Sequence, residues 1–517
     1  MASGRRSPRW TFALVSAGGV MMTLDVTVVN VALSDIARDL GAGLDRVQWT
    51  VSAYSLAFGA LILTAGALSD RMGRRAVFTL GMVLFTLASA GCGLAPDATA
   101  LIAARAAQGL GGAMVFAPTL ALMAAAYEGA RRQRAIAAFA AIASAAGALG
   151  PLVGGVLVEA LGWRWIFLVN VPIGALVVAG ALARMPESAA PRGARRRIDA
   201  LGALLAVGAL LALHYPLVAG PESGWAGADV TVSAAVGVVL AVALVASQRR
   251  GDGLIDLTLL RVRAFSGAAV LGFLARMSSL GVLAFVTLWL QSTHAYSPLE
   301  VGLQLVPLTG SLLLAGLFMA RLQRAFSAAS LVAGGFAAQA GGLLVLAAAA
   351  APGGGGAAGG RVATAAGLVL LGVGGAVIFP PLMGVAVGAA PADRAGMASG
   401  LTNACYPLGT ATGVALFGAL FSARLDEGLG LVQGPGAGGG PGGAGLRDAV
   451  ATGRLEMVDP ALQPLARSAF SGAFSTVCLA SALVCLLGVL AARTLRDGPE
   501  AATGTAKRPR SRIPQTS

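Results

Sequence analysis

The chain has 517 residues, 56% of them hydrophobic and only 12% charged, with 73 glycines and a formal net charge of +14. That composition excludes a soluble globular protein of ordinary make-up. The positive charge does not point to nucleic acid either, because the basic residues are scattered among short loops instead of gathered on one soluble domain.

A helix of ~20 apolar residues crosses ~30 Å of hydrocarbon while satisfying its own backbone hydrogen bonds. Fourteen such segments are predicted, over 11–32, 49–69, 76–95, 98–124, 135–158, 164–183, 199–219, 229–247, 265–290, 300–320, 328–351, 362–388, 397–422 and 471–492. The fold class is therefore an all-α polytopic membrane protein. The first segment is too long for the apolar core of a signal peptide, lacks a small-residue cleavage site and is expected to be retained. With the amino terminus inside, 27 of the 37 Lys and Arg fall on cytoplasmic segments, 8 on external ones, and Arg105 and Arg276 within helices. The positive-inside rule then puts both termini in the cytoplasm.

Asp25 lies in the middle of the first segment and is the only acidic residue away from the ends of the predicted spans, Asp199, Asp229 and Glu300 each standing at the first position of one. An unpaired charge at mid-membrane costs at least ~3 kcal/mol, so it should line a watery path, carry protons or pair with a structural partner. After the second segment, Gly66, Asp70, Arg71, Gly73 and Arg74 make a tight turn in which the glycines permit close backbone approach and Asp70 can latch onto arginines or a helix amino terminus. A plain topology-setting basic loop would need neither Asp70 nor Gly73. In the fourth segment, Arg105 and Gln108 share one helical face. Arg105 keeps its proton, so its reach is to lower the pKa of a nearby carboxylate, hold a water, or pin a backbone carbonyl.

The fifth segment sets Gly147, Gly150, Pro151, Gly154 and Gly155 on a small-residue face that allows close helix approach, with Pro151 adding a kink. Trp163 and Trp165 are expected at the external interface. Residues 185–198, with Arg195 to Arg197, form a basic cytoplasmic link before two inserted helices in 199–247 and a cytoplasmic loop, 248–264. Arg276 lies mid-helix at a position pseudo-equivalent to Asp25. It either faces Asp25 across a central cavity or is spent on a structural carbonyl or on snorkelling. Residues 423–470 read as a long external loop with a flexible Gly-rich stretch, Gly434 to Gly445, and 493–517 as a basic cytoplasmic tail near the lipid surface. Cys92, Cys405, Cys478 and Cys485 all fall in membrane segments and imply no disulfide framework. His214 and His294 offer no metal or nucleophile site, and no catalytic constellation is visible.

The two ends of the chain are weakly similar. Gly109 to Pro118 matches Gly372 to Pro381 at six positions; Gly66, Arg71 and Arg74 match Gly316, Arg321 and Arg324; and Leu149, Gly150 and Gly154 match Leu408, Gly409 and Gly413. These point to two six-helix halves, 11–184 and 265–492, with a substrate site between them near mid-membrane.

Leu24 to Leu33 together with Gly66 to Arg75 resembles the major facilitator superfamily, and the fourteen-helix count is similar to its drug:proton antiporter branch. The likeness covers nearly the whole chain apart from 423–470 and the tail, with Ser34 where that branch commonly has proline. It implies the major-facilitator fold, a gate at Gly66 to Arg74 that stabilises the outward-open state, help from the Arg105–Gln108 motif in proton transfer, and an antiporter motif at Gly147 to Gly155 that seals helix 5 against proton leak. Trp163 to Pro172 resembles a further hallmark of the branch.

The expected function is a proton-coupled exporter of small amphipathic organic compounds, with Asp25 as proton acceptor and Gln108, Phe116, Arg276, Gln291 and Asn403 as cavity candidates. A symporter or facilitator of the same fold is the alternative, disfavoured by Gly150-Pro151 with Gly154-Gly155; an enzyme or receptor is less favoured. No cofactor or nucleic acid is expected, and the protein should be a monomer in the bilayer. One lysine against 36 arginines suggests a GC-rich bacterial genome and hence the bacterial inner membrane. Asp25 alone against Arg105 and Arg276 predicts that dications are poor cargo.

Overall fold

The computed structural model describes residues 8–187, 199–249, 257–351, 357–391, 395–433 and 441–497. Among these there is no β-strand, and fourteen helices are long and apolar enough to cross a membrane. Spans 1 to 7 are Pro8–Asp39, Leu44–Met72, Arg74–Gly93, Ala98–Ala126, Arg134–Leu161, Trp165–Arg184 and Ala200–Pro221. Spans 8 to 14 are Ala228–Gln248, Arg263–His294, Pro298–Ala325, Ala328–Ala350, Gly359–Gly388, Met397–Gly430 and Gln463–Ala491. With fourteen spans, an even number, the start of span 1 at Pro8 and the end of span 14 at Ala491 share one face, the termini face.

Local sequence explains where several spans begin. Asp97 caps span 4 by accepting the Ala100 N–H at 2.8 Å. Span 10 opens on a capping box: Ser297 accepts from the Glu300 N–H at 3.3 Å and donates its own N–H to the Glu300 carboxylate at 2.9 Å, with Pro298 at the first helical position. Gly73, at φ 106°, makes the turn between spans 2 and 3 that an L side chain would strain.

The packing repeats. Span 1 packs on span 5, span 2 on span 4, span 3 on spans 4 and 6; in the same pattern span 9 packs on span 13, span 10 on span 12, span 11 on spans 12 and 14. Across the molecule span 2 meets span 13 and span 5 meets span 10, which are symmetry mates of each other. The matched glycines carry this symmetry. A Cβ on Gly154 would stand 3.1 Å from the Val28 carbonyl of span 1, and one on Gly413 would stand 2.5 Å from the Met277 carbonyl of span 9. Spans 7 and 8 pack on each other, and span 7 lies along spans 2 and 13, where His214 meets the Trp49 ring edge-on at 5.0 Å.

The expected loop at 423–470 is corrected. Span 13 belongs to a helix that runs to Gln433, a further helix covers Pro441–Ala451, and span 14 starts at Gln463. Val450, Leu455 and Val458 are buried against the core, so much of this segment is a packed cap, closed by an Arg447–Asp426 pair with Nε to Oδ1 at 2.6 Å. Apolar residues spaced through an otherwise polar, Gly-rich stretch account for the burial. Residues 434–440 of the Gly-rich stretch, Arg195 to Arg197 of the basic link, and the tail from 498 lie outside the described residues.

Trp163 is also corrected: it is buried, donates its indole N–H to Asp39 at 3.0 Å, and stacks with Arg164, which pairs with the same carboxylate. An ion pair at the helix ends gives it a better partner than the lipid interface would. Trp165 is the exposed member of the motif.

Candidate functional site

Asp25 is fully buried inside the N-terminal half. Arg105 donates from Nη1 to Asp25 Oδ2 at 2.5 Å and to Gln108 Oε1 at 2.6 Å. Gln108 Nε2 donates to Asp25 Oδ1 at 2.8 Å and to the Ser89 hydroxyl at 2.7 Å, while Arg105 Nε reaches the Thr50 carbonyl at 3.1 Å. Spans 1, 2, 3 and 4 thus meet in one charge-neutral network. Both carboxylate oxygens have charged or amide donors, which compensates the loss of hydration that burial imposes. Arg105 here both pins a carbonyl and binds the carboxylate, so two of the partners open to it in the sequence are present together.

Between the halves lies a cavity of about 470 Å³. Its N-half wall is an aromatic strip. Tyr54 stacks on Phe58 with centroids 6.1 Å apart, and Phe58 meets Phe116 edge-on at 5.8 Å. Its C-half wall carries Arg276, whose guanidinium lies 4.2 Å from the Phe379 centroid and 5.8 Å from that of Tyr406, with Asn403 nearby along span 13. The cavity is lined at mid-membrane and toward the termini face. At the opposite face the halves are tied together: Ser34 donates to Gln291 Oε1 at 2.7 Å, Gln291 Nε2 donates to the Val31 carbonyl at 2.9 Å, and Thr287 donates to the Asn30 carbonyl at 2.8 Å. Beside them, Glu159 accepts from the Ser297 hydroxyl at 2.6 Å and the Leu299 N–H at 3.1 Å.

Phe116, Arg276 and Asn403 of the expected cavity residues line this space; Gln108 and Gln291 do not. Gln108 is held by Asp25 and Gln291 by the seam at the opposite face, because each amide finds more partners there than the cavity would offer. The expected confrontation of Asp25 with Arg276 is likewise absent. Asp25 is bound to Arg105 and does not line the cavity, whereas Tyr54, whose ring sits 4.5 Å from the Arg105 guanidinium, does.

Gly147, Gly150 and Gly154 seat span 5 against Thr23, Thr27 and Val28 of span 1, while Gly155 faces the Pro298 backbone of span 10. Pro151 lies within the helix, where it has no N–H to give. In the turn after span 2, Asp70 reaches Arg74 at 3.8 Å, and Arg75 binds Glu187 at the end of span 6 at 3.4 Å and the Met185 carbonyl at 3.2 Å. The close approach expected at Gly66 is not made here, since a Cβ there would meet nothing within 4 Å. Sequence reading missed Tyr54, Glu187, Glu159 and Tyr406. Only their neighbourhood to motif residues along the chain could have flagged them.

Two pseudo-symmetric six-span bundles with a cavity between them, tied together at one face, have the architecture of a membrane transporter of small molecules. A profile of the Major Facilitator Superfamily matches residues 15–414. The chain is 37% identical over 428 residues to "Multidrug resistance protein Stp" of Mycobacterium tuberculosis, covering 82% of this chain and 78% of that one. It is 34% identical over 433 residues to "Tetracenomycin C resistance and export protein" of Streptomyces glaucescens, covering 82% and 78%. Among solved structures, a bacterial homolog of the human lysosomal transporter Spinster, in an inward-facing and unoccupied conformation, superposes with a TM-score of 0.65 at 14% identity over 96% of this chain and 98% of that one. This chain is a multi-pass membrane protein that belongs to the Major Facilitator Superfamily.

Proposed function

We propose that the protein exports small amphipathic organic compounds across the bacterial inner membrane in exchange for protons, with both termini in the cytoplasm. The termini face is then cytoplasmic and the conformation inward-open: cargo enters the cavity from the cytoplasm while the Ser34–Gln291 and Glu159–Ser297 ties keep the outer face shut. The two halves, 11–184 and 265–492, rock about the cavity while 199–247 rides alongside, and one copy suffices. The observation that carries the proposal is a titratable carboxylate buried beside, yet walled off from, a substrate-sized cavity shared by the halves. Asp25 takes the proton when conformation or cargo weakens its contact with Arg105. Gly66, Asp70, Arg71, Gly73 and Arg74 latch the cytoplasmic side in the other half of the cycle, and Gly147 to Gly155 let span 5 swing between spans 1 and 10 without opening a leak. Relatives named for multidrug resistance and for antibiotic export support the direction of transport.

Proteoliposomes with an imposed pH gradient test this. Cargo should move against its own gradient only when protons flow the other way, and Asp25→Asn should remove that movement. Transport of cargo and protons in the same direction would overturn the proposal.

A further inference from the structure

Arg276 is the only charged one among the described residues that line the cavity. Among the described residues it donates no hydrogen bond and pairs with no carboxylate, although it is a strong fork-shaped donor set half-buried at mid-membrane. What holds it is aromatic: Phe379 at 4.2 Å and Tyr406 at 5.8 Å, themselves packed edge-to-face at 5.1 Å. The Tyr406 hydroxyl is buried and, among the described residues, has no hydrogen-bond partner. Asp25, the one carboxylate that could have neutralised Arg276, is spent on Arg105 behind the cavity wall. The cavity therefore carries one uncompensated positive charge, one orphaned hydroxyl and two ring faces, opposite the Tyr54–Phe58–Phe116 strip.

We infer that Arg276, Tyr406 and Phe379 form a subsite for an aromatic organic anion, Arg276 and the Tyr406 hydroxyl taking a carboxylate, sulfonate or phenolate oxygen while the attached ring lies between the aromatic walls. This names the cargo class and rests on the exporter reading above. Guanidinium pairs bidentately with planar oxyanions, and such charge-assisted bonds are roughly twice as strong as neutral ones. A cation placed there would be desolvated beside a like charge.

Three isosteric probes distinguish the cases: 2-naphthoate, 2-naphthamide and 2-naphthamidinium, measured for binding to the purified full chain by equilibrium dialysis and for transport in proteoliposomes. The wild type should bind the anion at least about tenfold more tightly than the cation. Arg276→Gln should collapse that ratio to near one, and Arg276→Lys should restore part of it, which keeps the test alive if the Gln variant does not fold. Tyr406→Phe should weaken the anion several-fold and leave the amide unchanged. Equal or tighter binding of the amidinium, no binding of the naphthoate, or a ratio that Arg276 variants leave untouched would overturn the subsite. Arg276-dependent binding of the anion without proton-driven movement would leave the subsite standing and overturn the exporter reading.

Discussion

Asp25 and Arg105 form a buried pair with a 2.5 Å contact, and the ring of Tyr54, which lines the cavity between the halves, lies 4.5 Å from the guanidinium. In the proton coupling proposed above, movement of spans 1, 2 and 4, or of the Tyr54 ring, would link the pair to the cavity.

The first prediction follows from that pair. Asp25→Asn keeps the Gln108 contact but leaves Arg105 as an uncompensated buried cation, and breaking such a pair costs on the order of 3–5 kcal/mol. The variant should lose both proton-driven efflux and thermal stability. Asp25→Asn combined with Arg105→Gln removes both charges and should recover most of the stability with no recovery of transport. Detergent-solubilised melting curves beside proteoliposome flux check this; a double mutant that regains gradient-driven efflux would exclude Asp25 as the coupling residue.

The seam at the opposite face gives the second prediction. Gln291 makes two cross-half bonds there, one accepted from Ser34 and one donated to Val31. At ~0.5–1 kcal/mol per bond, Gln291→Ala should move the balance of conformers toward the alternative open at that face by roughly five- to thirtyfold. Spin-label distances between the loops after spans 1 and 9 report it as a growing long-distance population. An unchanged distribution would mean that span packing alone holds the face shut.

Fold class, the fourteen spans, the internal repeat and the Asp25–Arg105 motif residues were legible in the sequence, for a physical reason. Apolar length and intramembrane charge are one-dimensional signals that lipid enforces on every residue. Direction was not legible. A carboxylate at mid-helix can face a cavity or a neighbouring helix, and the choice depends on which donors the other spans bring; Asp25 went to Arg105, and Arg276 was left to Phe379 and Tyr406. Gln108 and Gln291 were misread on the same ground, as amides that seemed to need a watery cavity and found protein partners instead. The cap after span 13 escaped because its glycines suggested a loop, while its buried apolar residues contact spans that are far away along the chain.

A third prediction separates matched glycines. A Cβ on Gly413 would be 2.5 Å from the Met277 carbonyl, a backbone atom that cannot swing aside, whereas one on Gly316 would meet nothing within 4 Å. Gly413→Ala should destabilise the protein by about 1–3 kcal/mol through forced separation of spans 9 and 13. Gly316→Ala should leave stability unchanged or slightly higher. Melting curves in detergent decide it, and equal behaviour of the two variants would show that the 9–13 contact is looser than the geometry indicates.

The last prediction concerns the cap. Burial pushes the Asp448 carboxyl above its ordinary value of 3.8, Arg447 pulls it back, and Asp45 pushes it up again. Arg447 has little to spare, because its fork is occupied by Asp426 at 2.6 and 3.2 Å. A carboxyl whose value is raised on docking favours the docked state while protonated, and that contribution is lost as pH rises through the raised value. The Pro441–Ala451 helix should therefore sit more tightly at acidic than at neutral pH. Asp448→Asn, which cannot ionise, should hold the acidic level of protection at neutral pH. Amide exchange across residues 446–458, corrected for intrinsic rates, measures this directly; protection that increases with pH in the wild type, or that still varies with pH in Asp448→Asn, would show that another group controls the cap.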